Sequence, residues 1–124
     1  MKAYTDIEQS KKLAEILPIG SNDMYYEPSV GFNTHPSEVK IGDIKYAHPL
    51  SIPCWSLSAL LKMFPNGVWY NNDYTVPILL PQIKNKWICR LYNPEKDIDI
   101  FYIKDNPIDA VFEMVVWLLE NKKI

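Results

Sequence analysis

Residues 105–121 read DNPIDAVFEMVVWLLEN. Asp105 or Asn106 can cap a helix, and Pro107 stands where a first-turn proline is tolerated. Apolar residues then recur at helical spacing and form one wide face: Ile108, Val111, Phe112, Val115, Leu118 and Leu119. This pattern predicts a helix over about 107–121, and the other predicted elements are placed around it.

A second apolar stripe lies on the same helix. At 100° per residue, Ala110, Met114 and Trp117 fall opposite the main face. A helix that is apolar nearly all round is buried on two sides. The irregular segment 21–50, a partner protein or a second copy of the chain must then cover the stripe. We expect cover within the chain, with a homodimer as the alternative.

Two further helices are predicted upstream. Thr5 and Glu8 have the spacing of a capping box, which predicts a helix over about 6–17. Ser51, with a proline two residues later, predicts the start of a helix over about 53–64. Both stretches carry apolar residues at helical spacing, so each has a side for the core.

Four strand candidates lie between the second and third helices. They run over residues 68–70, 74–80, 87–92 and 98–103. The last two form a hairpin with residues 93–96 as its loop, so that Arg90 faces Asp99 on the outer face. The core face of that hairpin then carries four apolar residues: Cys89, Leu91, Ile98 and Ile100.

These elements predict an α+β fold. We expect an antiparallel meander of about four strands with the three helices packed on one face. The 124 residues fit one domain, 1–124. The segment before the second helix is irregular, apart from short strands expected at 24–26 and 41–46.

Composition and charge exclude several classes of function. The net charge is −2, which argues against a broad basic surface, so we expect no nucleic-acid partner. No stretch approaches the roughly 20 apolar residues needed to cross a membrane, so we expect no membrane association. The first residues lack the apolar run of a signal peptide, which favours a cytoplasmic location.

Histidine and cysteine form no recognisable site in the sequence. His35, His48 and Cys54 could supply three metal ligands, but no closely spaced ligand pair is present. Cys54 near a helix start could be a nucleophile with His48 as its base, yet a buried thiol is the better interpretation. Cys89 is likewise expected to be buried, in a strand. We assign no catalytic, cofactor-binding or metal-binding residue and expect no cofactor.

Aromatic side chains favour a binding role. The tract 69–74 mixes tryptophan and tyrosine with amides, which suits a protein or sugar contact as well as an ordinary hairpin. Trp55 falls off the apolar face of its predicted helix. The predicted interaction surface comprises Trp117, Met114, Trp55, Trp69, Tyr70 and Tyr74.

Two blocks resemble a known group of sequences. Residues 53–65 resemble a P-x-W-S-L-x-A-L-L-x-x-x-P block, and residues 105–120 resemble a D-x-P-(I/V)-D-A-x-x-x-M-x-x-W-L ending. Both blocks are similar to those of a family of short uncharacterised proteins from gut anaerobic bacteria and their phages and mobile elements. The resemblance implies a context associated with phages or mobile elements and carries no activity or site residue.

Together these features favour a small non-enzymatic protein-interaction or accessory protein, with a protein partner or a homodimer as the contact. The alternative is a small-molecule-binding or enzymatic domain. Such a domain would use a cleft between residues 25–48 and the sheet.

Overall fold

The structure of the chain, a computed structural model, consists of helices and antiparallel strands. It describes residues 2–18, 20–27, 39–42, 50–64, 68–70, 73–75 and 77–121, and for 68–70 and 73–75 the backbone alone. The elements in chain order are α1 (Ile7–Ile16), β1 (Met24–Tyr26), β2 (Val39–Ile41), β3 (Ile52–Cys54), α2 (Leu57–Leu61), β4 (Val68–Tyr70), β5 (Asp73–Thr75), β6 (Ile78–Pro81), β7 (Trp87–Asn93), β8 (Ile98–Lys104) and α3 (Pro107–Glu120). The fold class is α+β, as predicted, with two three-stranded sheets and one two-stranded pair in the described part.

The chain divides into two compact units. The N-terminal unit comprises Ala3–Ala59, and the C-terminal unit comprises Leu60–Ile124 together with Met1–Lys2. The boundary falls inside α2. A single domain over 1–124 stays a prediction.

The N-terminal unit contains the sheet β2–β1–β3, in which both strand pairs are antiparallel. The strand expected at 24–26 is confirmed as β1, and α1 packs against β3, a strand outside the predicted meander. The strand expected at 41–46 is wrong in its bounds, because β2 ends at Ile41. Gly42 has φ 145°, a conformation that glycine adopts readily, and the chain leaves the strand there. Residues 43–46 lie outside the described part.

Helix α1 begins one residue later than the sequence pattern indicates. Asp6 is the N-cap: its carboxylate accepts from the Gln9 N–H at 2.8 Å, and its own N–H donates to the Gln9 side chain at 3.1 Å. The predicted cap, Thr5, is instead held in extended pairing, because its N–H donates to the Trp55 carbonyl at 2.9 Å. Tertiary pairing therefore decides between two overlapping capping patterns.

Replacing the observed cap is expected to cost more than changing the predicted box. Asp6→Ala should lower the free energy of unfolding by about 1 kcal/mol, because the Gln9 N–H loses its acceptor. Glu8→Ala should change it by less than about 0.5 kcal/mol, through the helix dipole alone. Urea denaturation of the two variants measures this difference. A larger loss in Glu8→Ala than in Asp6→Ala would instead place the cap at Thr5.

The second helix is shorter than predicted. Residues 52–54 form β3, which pairs with β1, and the helix proper is Leu57–Leu61. Ser56 caps it, since the Ser56 hydroxyl accepts from the Ala59 N–H at 3.2 Å. Proline fits an edge strand as well as a first helical turn, so Pro53 did not distinguish the two. Asp23 fixes Ser56 in turn by accepting from its N–H at 2.9 Å and from its hydroxyl.

In the C-terminal unit, β4 and β5 form the predicted hairpin, and β6, β7 and β8 form a meander in that order. The strand predicted over 74–80 is split into β5 and β6, with the buried Pro77 between them. Proline has no N–H to give to a neighbouring strand, which explains the interruption. Helix α3 packs on β7 and β8 and also touches β6.

The β7–β8 hairpin has the predicted faces but a different register. Its loop is 94–97, with Asp97 in the left-handed conformation at φ 56°, so that Asn93 pairs with Ile98 and Arg90 with Phe101. The predicted pairing of Arg90 with Asp99 is therefore displaced by two residues. A shift of two keeps every side chain on its face. Cys89, Leu91 and Ile98 are buried as predicted, whereas Ile100 is half-buried.

Helix α3 is confirmed, with Asn106 as its cap: the Asn106 side chain accepts from the Asp109 N–H at 2.9 Å. Its apolar residues do not form two opposite faces. Ala110 and Met114 belong to the same buried arc as Val111 and Leu118. The residues at the edges of that arc are half-buried: Phe112, Trp117 and Leu119. The buried side of the helix is therefore rotated relative to the prediction, towards Ala110 and Met114 and away from Phe112 and Leu119.

Candidate interaction surface

The face of the β6–β7–β8 sheet that points away from α3 carries an unusual set of side chains. Side chains alternate between the two faces of a strand, so the observed register assigns each residue to a face. We call this side the outer face. It consists of Ile78, Leu80, Ile88, Arg90, Tyr92, Asp99, Phe101 and Ile103.

Most of the outer face is apolar and exposed. Five of its eight residues are large apolar side chains with 45% to 50% of their surface exposed: Ile78, Leu80, Tyr92, Phe101 and Ile103. Two strands of seven residues and one of four, about 4.8 Å apart, give the face roughly 290 Å² in plan. The largest apolar patch on a typical monomer covers about 300–600 Å² and is often functional.

Two opposite charges lie within this face and neutralise each other. Arg90 binds Asp99 in a bidentate contact, with Nε to Oδ1 at 2.7 Å and Nη2 to Oδ2 at 2.9 Å. The hydrogen bonds from Arg90 lower the pKa of the Asp99 carboxyl, and those same bonds raise the pKa of Arg90. The pair is therefore ionised at neutral pH, and it leaves the outer face without net charge.

Two aromatic rings lie beside the guanidinium of Arg90. Its central carbon, Cζ, lies 4.2 Å from the centroid of the Tyr92 ring and 6.0 Å from that of Phe101. Such cation–π contacts help to hold the guanidinium beside the rings. The centre of the outer face is thus an ordered platform of one ion pair and two aromatic rings.

The residues predicted to form the interaction surface lie elsewhere. Trp55 and Met114 have 1% and 0% of their surface exposed, so the prediction that they present a binding surface is wrong for this structure. Trp117 is half-buried at the edge of the buried arc of α3. The remaining three residues belong to the β4–β5 hairpin, and their side chains lie outside the described part: Trp69, Tyr70 and Tyr74.

Sequence reasoning missed the outer face, although β8 contained a signal. A sheet with one solvated face alternates apolar and polar residues, but β8 reads IDIFYIK and carries apolar residues on both faces. Phe101 and Ile103 therefore required either cover or a partner. The predicted core face uses the inner positions of β8. Of the outer positions in this hairpin, only Arg90 and Asp99 were given a role, as an exposed ion pair.

Cys54 lies in a buried polar cluster of the N-terminal unit and has no features of a nucleophile. It belongs to β3 rather than to a helix start, and burial raises the pKa of its thiol. The Thr5 hydroxyl shares a 2.8 Å hydrogen bond with the Ser10 hydroxyl and accepts from the Trp55 N–H at 3.1 Å. These contacts join α1 to β3, so the cluster has a structural role. The proposed base, His48, lies outside the described residues.

A separate open hollow of about 280 Å³ lies at one end of the same sheet. Its lining residues are Pro81, Gln82, Asn85, Lys86, Trp87, Asp105 and Asn106. Lys86 and Asp105 form an ion pair in its wall. The other polar side chains of the lining are the amides of Gln82, Asn85 and Asn106.

Other site classes find no support in the described part of the chain. In that part, no three histidine, cysteine or acidic residues are grouped as metal ligands, and no helix is long and apolar enough to cross a membrane. His35 and most of the predicted 25–48 cleft lie outside the described ranges. Both cysteines are free and buried.

Comparison with known proteins gives no family for this chain. No protein-family model, curated protein or solved structure matches it.

Proposed function

We propose that this chain is a non-enzymatic protein-interaction module whose contact surface is the outer face of the β6–β7–β8 sheet. The observation that carries the proposal is the exposure of five large apolar side chains on one side of one sheet. The inner side of the same sheet already packs against α3. The outer residues are therefore not needed to hold the helix.

The chemistry of the outer face supports protein binding over other partners. Aromatic residues and arginine are enriched in protein interfaces and among the residues that contribute most to binding, and Arg90, Tyr92 and Phe101 lie together here. The face has no net charge, which disfavours nucleic acid because phosphate binding requires excess lysine and arginine.

The proposed setting is cytoplasmic and associated with phages or mobile elements. It is supported by the two sequence blocks at residues 53–65 and 105–120, which resemble short proteins of that origin. In this setting the chain acts as an accessory factor through a protein contact.

Matched variants with the same substitution test the contact surface. Ile103 lies on the outer face, whereas Ile83 lies in the turn before β7 and is 85% exposed. Ile103→Asp should abolish binding of proteins that the wild-type chain captures from extracts of its native cell, because a carboxylate must then be desolvated at the contact. Ile83→Asp should leave that binding intact. Quantitative mass spectrometry of the captured proteins measures both.

Thermal melting of each variant provides the folding control. Ile83→Asp should change the free energy of unfolding by less than about 0.5 kcal/mol. Ile103→Asp should lower it by about 1 kcal/mol, because aspartate is disfavoured in a strand, and the variant should remain folded. If Ile103→Asp captures the same proteins as the wild type while remaining folded, the outer face is not the contact surface.

A further inference from the structure

We propose that the partner of the outer face is a second copy of the same chain, bound face to face about a two-fold axis. This inference rests on the proposed function, because it uses the same surface and names its occupant. The contact would join two three-stranded sheets into a sandwich, with the sheets about 10 Å apart and α3 of each copy on the outside.

The charge arrangement of the outer face favours a copy of itself. Its charged residues, Arg90 and Asp99, are bound to each other, so two outer faces meet without net repulsion. A strongly charged partner would gain nothing from this surface. A neutral, apolar partner face is what electrostatic complementarity requires, and the outer face itself has that property.

Symmetry makes the central charges complementary as well. A two-fold axis that lies between the sheets and bisects the Arg90–Asp99 contact places each Arg90 opposite Asp99 of the other copy. The four groups then alternate in sign around a square. Each carboxylate, already bound at 2.7 Å and 2.9 Å in its own chain, thereby gains a second guanidinium neighbour.

The area of the face sets the expected strength. Stable dimers bury about 800 Å² on each partner, and the face offers roughly 290 Å² in plan, so the contact belongs to the weak size class. We expect a reversible dimer with a dissociation constant of about 1–100 µM.

Charge reversal on purified protein tests this directly. Arg90→Glu gives the outer face two acids, and Asp99→Lys gives it two bases. Sedimentation equilibrium up to about 1 mM should show a reversible dimer for the wild type and at least tenfold weaker association for each variant alone. An equimolar mixture of the two variants should form a one-to-one heterodimer, since opposite charges then face each other. Lys84→Glu, which makes the same charge change as Arg90→Glu at an exposed turn outside the sheet, should dimerise like the wild type.

Ile103→Asp provides a second test that leaves the ion pair intact, and it should also abolish the dimer. A wild type that stays monomeric at 1 mM, together with a mixture that does not associate, would overturn the second copy as partner. A dimer that survives both charge reversals would place the contact on another surface, and it would likewise overturn the second copy as the partner of the outer face. Neither outcome decides the capture experiment, in which loss of other proteins from Ile103→Asp tests the proposed function separately.

Discussion

Trp55→Ala is expected to lower the free energy of unfolding by about 3–5 kcal/mol, the usual cost of truncating a buried aromatic side chain. Trp55 is only 1% exposed, and its indole N–H donates to the Ser21 hydroxyl at 3.2 Å. The substitution removes that hydrogen bond and leaves a large cavity in the N-terminal unit. Small domains have about 5–15 kcal/mol of stability in total, so the loss is a large share.

The matched control for this prediction is Leu50→Ala. Leu50 belongs to the same unit and is 72% exposed, so its truncation should cost less than about 0.5 kcal/mol. Urea denaturation followed by far-ultraviolet circular dichroism measures both variants. A change below about 1 kcal/mol in Trp55→Ala, combined with weaker partner binding, would return Trp55 to the surface role that its sequence position first indicated.

The second large effect is a loss of stability at alkaline pH. Burial raises the pKa of Cys89 from 9.0 to about 12, because its thiol lies on the inner side of the sheet beneath α3. The folded state therefore keeps the proton that the unfolded state releases above pH 9. This stability is fully present below pH 9 and is lost as the pH rises towards 12, by about 3 kcal/mol at pH 11.

Other groups also make the free energy of unfolding fall as the pH rises above 9, so a variant is needed to isolate the contribution of Cys89. Burial also raises the pKa values of Cys54 and Tyr26. Cys89→Ala lowers stability at all pH values through lost packing, but its stability should fall less steeply between pH 9 and 11 than that of the wild type. Urea midpoints at pH 8, 9.5 and 11 give the two slopes. Parallel slopes in wild type and variant would show that Cys89 does not remain protonated in the folded state.

The sequence predicted an element correctly where its local features, such as caps, prolines and apolar spacing, all indicate the same structure. Helix α3 has a cap, a first-turn proline and sustained apolar spacing, and its bounds follow from these. The β7–β8 hairpin was predicted with the right faces, because a period of two fixes the face of each residue. Its register was not fixed, since loops 93–96 and 94–97 both preserve the faces and only the left-handed Asp97 selects the second.

Where an element was predicted wrongly, contacts between distant parts of the chain determine its structure. Residues 52–54 carry a proline that suits either a strand or a helix start, and pairing with β1 makes them a strand. Thr5 does not cap α1, because its N–H is paired with the Trp55 carbonyl. The candidate site could be predicted only in part for the same reason. Exposure of Phe101 depends on whether another element covers the outer face, which spacing along the chain does not reveal.

The position of Asp99 has a consequence for how the chain avoids aggregation. Among the described strands β8 pairs only with β7, so within that part of the chain its other edge has no paired strand, and the strand is seven residues long without a proline. Such edges can recruit identical strands into fibrils. Asp99 interrupts the apolar run of β8, and its bond to Arg90 holds the carboxylate over the outer face. The ion pair is therefore a gatekeeper: it disfavours endless stacking of β8 while leaving the apolar residues beside it available for a single specific contact.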